Sequence, residues 1–326
     1  MNREQYAAML KDISETHKAG GDTAACIAKY NERYKFMYIY NDNVFKILFG
    51  CPENEKITID FLNAVLGFIG SDCINNLAYI NPALPDAFGK SITSDIVATD
   101  QRLDRIVLEV QHIEDDSYNA RLVLYTAKHT IASRIKGEDY ALQNLNLISL
   151  QMFDGFPNSP NYRHSIRFKN QENEEFYDKQ TITLVEIPKF LKGNFTTDNS
   201  RIAEWLRVID GLNNETPVAV PEGTPFALLQ EKAQLSIFTE EFLVSEAMKM
   251  SDHKYELYVE KKHARKEGLE EGRAEGRAKG LTEGADAKAR EIAAAMLADG
   301  DSVEKVVRIS KLPESDVLAI KACLQK

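Results

Sequence analysis

The chain has 326 residues, of which 44% are hydrophobic and 28% are charged. These values are typical of a globular protein, so they exclude a disordered, collagen-like or fibrous chain, and the length allows one large domain with an appendage or two domains. The four cysteines are far apart and show no Cys-x-x-Cys spacing, which excludes a zinc-ribbon pattern and predicts reduced thiols in the cytoplasm.

The hydropathy pattern gives no sign of membrane insertion. The N-terminal segment is charged throughout, and the most apolar stretch, residues 61–69, has about half of the length needed to cross a bilayer. We therefore expect a cytoplasmic protein with no export signal and no membrane span.

The net charge of −10 is unevenly distributed. Residues 251–326 contain equal numbers of basic and acidic side chains, so the acidic excess lies in residues 1–250. Binding of a nucleic acid would therefore need a local cationic patch on an acidic background. The candidates for such a patch are Arg102, Arg105, His112, Arg121, Lys128, His129, Arg134 and Lys136.

In chain order, a polar segment precedes the first helices. Residues 1–34 contain Gly20 and Gly21 and are predicted to form a loose N-terminal helix or arm. Two helices follow, one over the motif VFKILFG and one over residues 58–66, joined by the turn CPENEK.

Extended segments then predict a mixed sheet. Residues 91–99 and 105–113 are rich in β-branched side chains and flank a short charged turn, which is the pattern of a hairpin or of two adjacent strands. A helix of about five turns is predicted over 116–135. Because further strands are predicted over 145–153, 165–170 and 181–188, this helix would cross over the sheet.

The rest of the chain is predicted to be helical. Helices are expected from residue 200 and over 226–262, with a loop at 217–225 between them. Five glycines then recur at a period of four, and each costs a helix roughly 1 kcal/mol relative to alanine. These glycines are Gly268, Gly272, Gly276, Gly280 and Gly284. Residues 263–285 are therefore predicted to be a linker helix or a packed seam.

Three short helices are predicted in residues 286–326. Their outline resembles a helix-turn-helix, but the last helix begins with Glu314 and Asp316, and no Arg, Asn or Gln stands near that end to read bases. We interpret this segment as an interaction module, through which the chain could form a homo-oligomer. A mobile, charge-rich tether is the alternative for the glycine repeat.

Two strands carry the candidate chemistry. Asp95 lies in one apolar strand, and Glu109 and Gln111 share one face of the next strand because their spacing is two. Lone buried carboxylates cost several kcal/mol each, and a divalent cation would neutralise the pair. The alternative is that Asp95 is a surface residue at a strand end and that Glu109 pairs with Arg105 or Arg121.

Six motifs in order over about residues 38–155 carry a family resemblance. They are NDNVFKILFG, FLNAVLG, TSDIVATD, VLEVQ, ARLVLYTAKH and GEDY. The series resembles the PD-(D/E)XK nuclease superfamily and, within it, the recombination-promoting nuclease and putative transposase group. The resemblance implies an α/β, restriction-endonuclease-like fold, with a mixed central sheet flanked by helices and an all-helical C-terminal appendage. It also implies Mg²⁺-dependent hydrolysis of DNA, with Mn²⁺ as a substitute metal, in a nuclease domain over 35–262.

The resemblance also implies roles for individual residues. Asp95 matches the metal-binding aspartate and Glu109 the second metal ligand. Gln111 falls where the wider superfamily has lysine, and its neutral amide can orient a group but cannot act as a base near pH 7. Ser94 stands where the superfamily name has proline, which is expected to affect only the geometry of the strand.

Supporting roles are implied for three further residues. Asp42 matches an acidic residue near the first helix, although an aspartate at a helix entry is more often an N-cap. Arg121 and Tyr125 lie on one helical face and could meet the scissile phosphate, or they could make packing contacts. His112 is expected to be a packed core or edge histidine.

Two main hypotheses of function follow. The first is an active Mg²⁺-dependent DNA endonuclease linked to DNA recombination or to a mobile element. The second is a catalytically silent DNA-binding or assembly protein that keeps the nuclease fold, which the acidic charge and Gln111 favour. A nuclease that acts on RNA would share the same metal chemistry.

Overall fold

The computed structural model describes residues 1–84, 92–115, 117–135, 140–193, 195, 197–250 and 284–324, together with a few residues between 265 and 280. The chain divides into two compact units, Met1–Ser251 and Asp252–Lys326. In the described part of the first unit, helices α1 to α9 span Arg3–Lys18, Thr23–Arg33, Asp42–Phe49, Glu55–Leu66, Tyr118–Ala132, Ile187–Lys192, Arg201–Asn213, Pro225–Lys232 and Glu240–Met250. Strands β1 to β8 span Leu77–Tyr79, Ala83–Leu84, Ile92–Thr93, Ile96–Asp100, Arg105–Gln111, Leu145–Gln151, Arg163–Lys169 and Glu175–Glu186.

The centre of the first unit is a six-stranded mixed sheet with the strand order β1-β4-β5-β6-β8-β7. Neighbouring strands β1, β4 and β5 are antiparallel, β5, β6 and β8 are parallel, and β7 returns antiparallel to β8. Helix α5 connects the parallel strands β5 and β6, as such a connection requires. This mixed sheet flanked by helices confirms the predicted α/β fold class.

Strand β5 lies at the middle of the sheet and is covered on both faces. Ile106, Leu108 and Val110 face the larger core, which also contains α3, α4 and α7. Val107 faces a smaller cluster in which α5 contributes Tyr118 and Leu122. Because side chains alternate along a strand, Glu109 and Gln111 lie on the face of Val107, next to α5.

The N-terminal residues are helical, which was one of the two predicted alternatives, but they are packed and not loose. They form α1 and α2, and α1 packs against α9. Met9 and Ile13 are fully buried, one helical turn apart. The apolar stripe is narrow within a strongly polar helix, which is why the composition of this segment suggested an arm.

The helix predicted over 226–262 is broken in its first part. A 3₁₀ turn over Leu235–Ile237 separates α8 from α9. The break occurs because backbone groups here bond with the segment that precedes α3: Met37 N–H donates to the Ala233 carbonyl and Leu235 N–H to the Lys35 carbonyl, each at 2.9 Å. Residues 251–262 and most of the predicted linker at 263–285 lie outside the described residues.

The second unit has a small core of its own. Its described helices are α10 over residues 284–298, α11 over Val303–Ser310 and α12 over Glu314–Leu324. Ser302 caps α11 by accepting from Lys305 N–H. The buried side chains Ala293, Val306, Leu312 and Val317 come from all three helices and the turn between the last two. Among the described helices, none combines the length and the apolar character needed to span a bilayer.

Candidate active site

A cleft of about 260 Å³ opens at one end of the central strands. It brings together all six residues that the sequence singled out, which come from α3, β5, α5 and the approach to β4. The lining residues are Asp42, Thr93, Asp95, Glu109, Val110, Gln111, Tyr118, Arg121, Leu122, Tyr125 and Ser149.

Asp95 and Glu109 lie side by side because β4 and β5 pair in antiparallel register. The backbone N–H of Asp95 donates to Glu109 Oε1 at 3.3 Å, and the N–H of Val110 donates to Asp95 Oδ2 at 2.9 Å. These bonds tie each carboxylate to the backbone of the neighbouring strand. The segment between the two acids in the sequence forms the β4–β5 hairpin, and this hairpin brings the acids together.

Burial and the neighbouring Asp95 perturb the pKa of Glu109. Burial, reinforced by the negative charge of Asp95, raises the pKa of Glu109 to about 8. Hydrogen bonds from Ser94 and from the Asp95 backbone, and the charge of Lys46, lower the pKa but do not cancel this rise. A divalent cation held by the two acids would oppose this rise, because its positive charge would favour the ionised carboxylates.

Lys46 is a residue of the site that the sequence reasoning missed. It extends from α3, and its Nζ lies 2.9 Å from Asp95 Oδ1. Burial by itself would lower the pKa of Lys46, but the hydrogen bond to Asp95 and the charges of Asp95, Asp42 and Glu109 outweigh it and raise the pKa. Lys46 belongs to the motif NDNVFK, which is one of the motifs that carry the family resemblance. Nothing in the sequence spacing, however, predicted a contact between Lys46 and Asp95.

Gln111 lines the cleft but is turned partly to the backbone. Its Nε2 donates to the Ile113 carbonyl at 2.9 Å. One amide proton is therefore engaged by the chain that leaves β5, while the remaining amide groups face the cleft.

Ser94 belongs to a buried polar chain that ends at Glu109. Its Oγ lies 3.0 Å from His129 Nε2, and Arg105 Nη1 lies 3.3 Å from His129 Nδ1. A guanidinium can only donate, so Nδ1 must accept and the imidazole proton is on Nε2. That proton is donated to Ser94 Oγ, which leaves the hydroxyl proton of Ser94 for Glu109. Burial and the charge of Arg105 lower the pKa of His129 to about 4, which keeps it neutral.

This chain of contacts gives Ser94 a role that proline could not fill. The sequence predicted an effect on strand geometry alone, but the side chain is fully buried and hydrogen-bonded. Arg105 and His129 are buried as well, so they cannot belong to the predicted cationic surface patch. Arg105 also does not pair with Glu109, since its described contacts are to His129 and to the Ala132 carbonyl.

Arg121 and Tyr125 reach the cleft from α5. Arg121 Nη1 lies 3.4 Å from Asp115 Oδ2, and its guanidinium stacks 5.7 Å from the ring centre of Tyr118. The alternative pairing of Arg121 with Glu109 is thus replaced by a pairing with Asp115. Burial, reinforced by the charge of Glu109, raises the pKa of Tyr125, so its hydroxyl keeps its proton and can donate.

Two further polar residues support this wall of the cleft. Tyr118 Oη lies 2.6 Å from Ser149 Oγ and accepts from Gln151 Nε2 at 3.0 Å. Ser149 stands beside Glu109 in the parallel pairing of β5 and β6, and Gln151 stands beside Gln111. The sequence did not predict the positions of Ser149 and Gln151 beside the site, because the register between parallel strands is set by the whole sheet.

Asp42 is not the N-cap that its position suggested. Asn41 caps α3, since its Oδ1 accepts from the N–H groups of Asn43 and Val44 at 3.1 and 3.0 Å. Asp42 is the first helical residue, and its Oδ1 lies 3.3 Å from His112 Nε2. Its carboxylate is 55% exposed and faces the cleft, whereas His112 is largely buried at the edge, as expected for a packed edge histidine.

The donor set of the cleft suits a hard divalent cation. Among the described residues, no group of three His, Cys, Asp or Glu side chains is arranged to hold a metal, so the pair Asp95 and Glu109 would be the protein's contribution. Mg²⁺ prefers oxygen ligands and commonly binds one or two carboxylates, keeping waters and substrate phosphate in its other positions. The two carboxylates fit that requirement.

Comparison with known proteins identifies a family. The sequence model of a PD-(D/E)XK nuclease family transposase matches residues 39–271, a span that contains the sheet and every residue of the cleft. No curated protein sequence and no solved structure matches the chain.

Proposed function

The chain belongs to the PD-(D/E)XK nuclease family transposases, and from this we propose that it is a Mg²⁺-dependent DNA endonuclease that acts in DNA recombination or for a mobile element. The observation that carries the proposal is the pair Asp95 and Glu109, held side by side in a cleft where burial, reinforced by the charge of Asp95, raises the pKa of Glu109 to about 8. A buried carboxyl group with a strongly raised pKa, next to a second acid in a cleft, is characteristic of a functional site.

Asp95 and Glu109 would hold the metal, which is Mg²⁺ with Mn²⁺ as a substitute. When bound, the ion would neutralise charge on the phosphodiester and increase the acidity of water. The polar chain Arg105, His129 and Ser94 would keep the Glu109 carboxylate in one orientation. Removal of a hydrogen bond that orients a metal ligand typically lowers metal affinity or activity 10- to 100-fold.

The other residues of the cleft would receive the substrate. Gln111 would orient the phosphate or water through its amide, because it has no proton to exchange near pH 7. Arg121 and the Tyr125 hydroxyl would donate to phosphate oxygens from the α5 side. Asp42 lies on the α3 side of the cleft, where its exposed carboxylate contacts His112. The Asp42 carboxylate and the His112 imidazole would orient water or DNA.

We also propose the predicted division of the chain, with a nuclease domain over 35–262 and a C-terminal module at 286–326 that forms a homo-oligomer. The separate core of α10, α11 and α12 supports a module with its own fold. Glu314 and Asp316, in the first turn of α12, disfavour an approach of this helix end to DNA.

The test is cleavage of supercoiled plasmid by the full chain with Mg²⁺. We expect nicked or linear product, its loss in excess EDTA, and its loss in the variant Asp95→Ala. The variant Asp178→Ala, at an exposed position of β8, is the matched control and should cleave normally. Cleavage by Asp95→Ala at the rate of the unmodified chain would refute the assignment.

The second candidate is a silent DNA-binding or assembly protein. The observation that favours it is the ion pair between Lys46 and Asp95, which gives Asp95 a partner without any metal. This candidate predicts DNA binding in Ca²⁺ or Mg²⁺ with no product in either. Product formation with Mg²⁺ that depends on Asp95 would exclude it.

A further inference from the structure

Lys46 is a cation surrounded by the acids of the cleft. Its Nζ contacts Asp95, and the negative charges of Asp42 and Glu109 also act on it. The ammonium is therefore paired with one carboxylate, and two further acids lie close enough to affect it. A phosphodiester that enters this cleft brings a further negative charge, so it needs a positive group that can turn toward it.

We propose that Lys46 binds the scissile phosphate of DNA and is a catalytic residue of the cleft. This inference rests on the proposed function. In the substrate complex the ammonium would turn from Asp95 Oδ1, a ligand atom of the proposed metal site, to an oxygen of the phosphate. It would remain protonated, form no covalent bond, and stabilise the negative charge on the non-bridging phosphate oxygens as the water oxygen bonds to phosphorus and the P–O bond to the leaving strand breaks. The attacking water would release its proton to solvent, and the leaving oxygen would take a proton from solvent.

The backbone that carries Lys46 is fixed. The neighbouring residues Val44, Phe45 and Leu48 are fully buried, and Asn41 caps the start of the helix. The ammonium therefore stands at the end of a flexible side chain on an immobile helix, which allows its movement without movement of the fold. Its side chain is 37% exposed, so an entering phosphate can reach it.

A purely structural ion pair explains the contact less well. Asp95 Oδ2 already accepts from Val110 N–H, so the carboxylate is anchored without Lys46. An exposed or half-exposed ion pair contributes little to stability, with a median of about 0–1 kcal/mol. The other cation of the cleft, Arg121, is bound to Asp115.

The test compares Lys46→Met and Lys46→Arg with Lys56→Met, which removes an exposed lysine of α4. Three quantities are measured on the full chain: Ca²⁺ affinity by calorimetry, DNA affinity in Ca²⁺ as a function of salt, and single-turnover cleavage in Mg²⁺. We expect Lys46→Met to bind Ca²⁺ as tightly as the unmodified chain or more tightly, because a competing cation is gone. Its cleavage should fall at least 100-fold, and Lys46→Arg should recover part of it.

The salt dependence adds a readout that does not require cleavage. Loss of one phosphate contact should reduce the slope of log affinity against log salt by about 0.9 in Lys46→Met, and Lys56→Met should leave it unchanged. An unchanged slope with normal cleavage would overturn the inference. Loss of Ca²⁺ binding as complete as in Asp95→Ala would overturn it too, because Lys46 would then only position Asp95. If the unmodified chain binds DNA but does not cleave it, the proposed function fails, and the salt slope still decides whether Lys46 contacts phosphate.

Discussion

Glu109 allows the electrostatics of the cleft to be tested without substrate. We consider the variant Glu109→Gln in the absence of divalent metal. The amide has the shape of the carboxyl group and keeps an oxygen that can accept from Asp95 N–H and from Ser94. The substitution thus removes the charge and leaves these contacts in place.

The magnitude follows from the pKa of Glu109, which is about 8 in the folded protein against an ordinary 4.5. Between these values the folded protein holds a proton that the unfolded chain releases, so stability is intact below pH 4.5 and declines as the pH rises to 8. At about 1.4 kcal/mol per pH unit, the cost is below about 1 kcal/mol at pH 5 and about 3 kcal/mol at pH 7.

Thermal unfolding in EDTA at several pH values measures this cost. The melting temperature of Glu109→Gln should be close to that of the unmodified chain at pH 5 and higher by roughly 5–10 °C at pH 7. Glu172→Gln, at an exposed turn, is the control, and its difference from the unmodified chain should stay constant. A difference for Glu109→Gln that does not grow with pH would show that burial and the charge of Asp95 do not raise the pKa of Glu109 as the structure indicates.

Three further predictions concern the neighbours of this pair and the C-terminal unit. Gln111→Lys should retain or raise plasmid cleavage, and Gln111→Ala should lower it by less than Asp95→Ala does; a neutral alanine variant would make Gln111 a structural residue. Ser94→Ala should weaken Ca²⁺ binding, measured by calorimetry, by about tenfold while the chain stays folded, because Glu109 loses its hydroxyl partner. Removal of residues 268–326 should leave a folded nuclease domain with an unchanged salt slope for DNA binding and a lower mass in size-exclusion chromatography. An unchanged mass with tenfold weaker DNA binding would instead show that the C-terminal helices bind DNA.

Local pattern was enough to predict the elements that carry the acids. The β-branched run around Val97 and Val107 predicted two adjacent strands, and the period of two predicted that Glu109 and Gln111 share a face. Both properties depend on residues close together in the chain. The structure agrees with them, since β4 and β5 pair as a hairpin.

Contacts between distant segments could not be predicted in this way. Lys46 meets Asp95, and His129 meets Ser94, only because α3 and α5 pack on particular faces of the sheet. The packing of the N-terminal helices could not be predicted for the same reason. The narrow apolar stripe of Met9 and Ile13 is buried only because α9, which is distant in the sequence, packs against it. In each case the partner lies at least 30 residues away in the chain.

The acidic character of the chain leads to a last prediction, which concerns the role of metal in DNA binding. Of the predicted cationic patch, Arg105 and His129 are buried and Arg102 pairs with Asp100. Among the described residues, Lys46 contacts a carboxylate of the cleft and Arg121 lines the cleft. Each of these two cations is paired with an acid.

Without a divalent cation the cleft should therefore repel DNA, and with one it should attract it. We expect Ca²⁺ to raise DNA affinity at least tenfold, or about 1.4 kcal/mol, in a fluorescence anisotropy assay at fixed ionic strength. Asp95→Asn should bind DNA more tightly than the unmodified chain in EDTA, because one repelling charge is removed, and should respond less to Ca²⁺. Equal DNA affinity with and without Ca²⁺ in the unmodified chain would mean that DNA is held by a surface other than this cleft. The acids would then serve cleavage without contributing to binding.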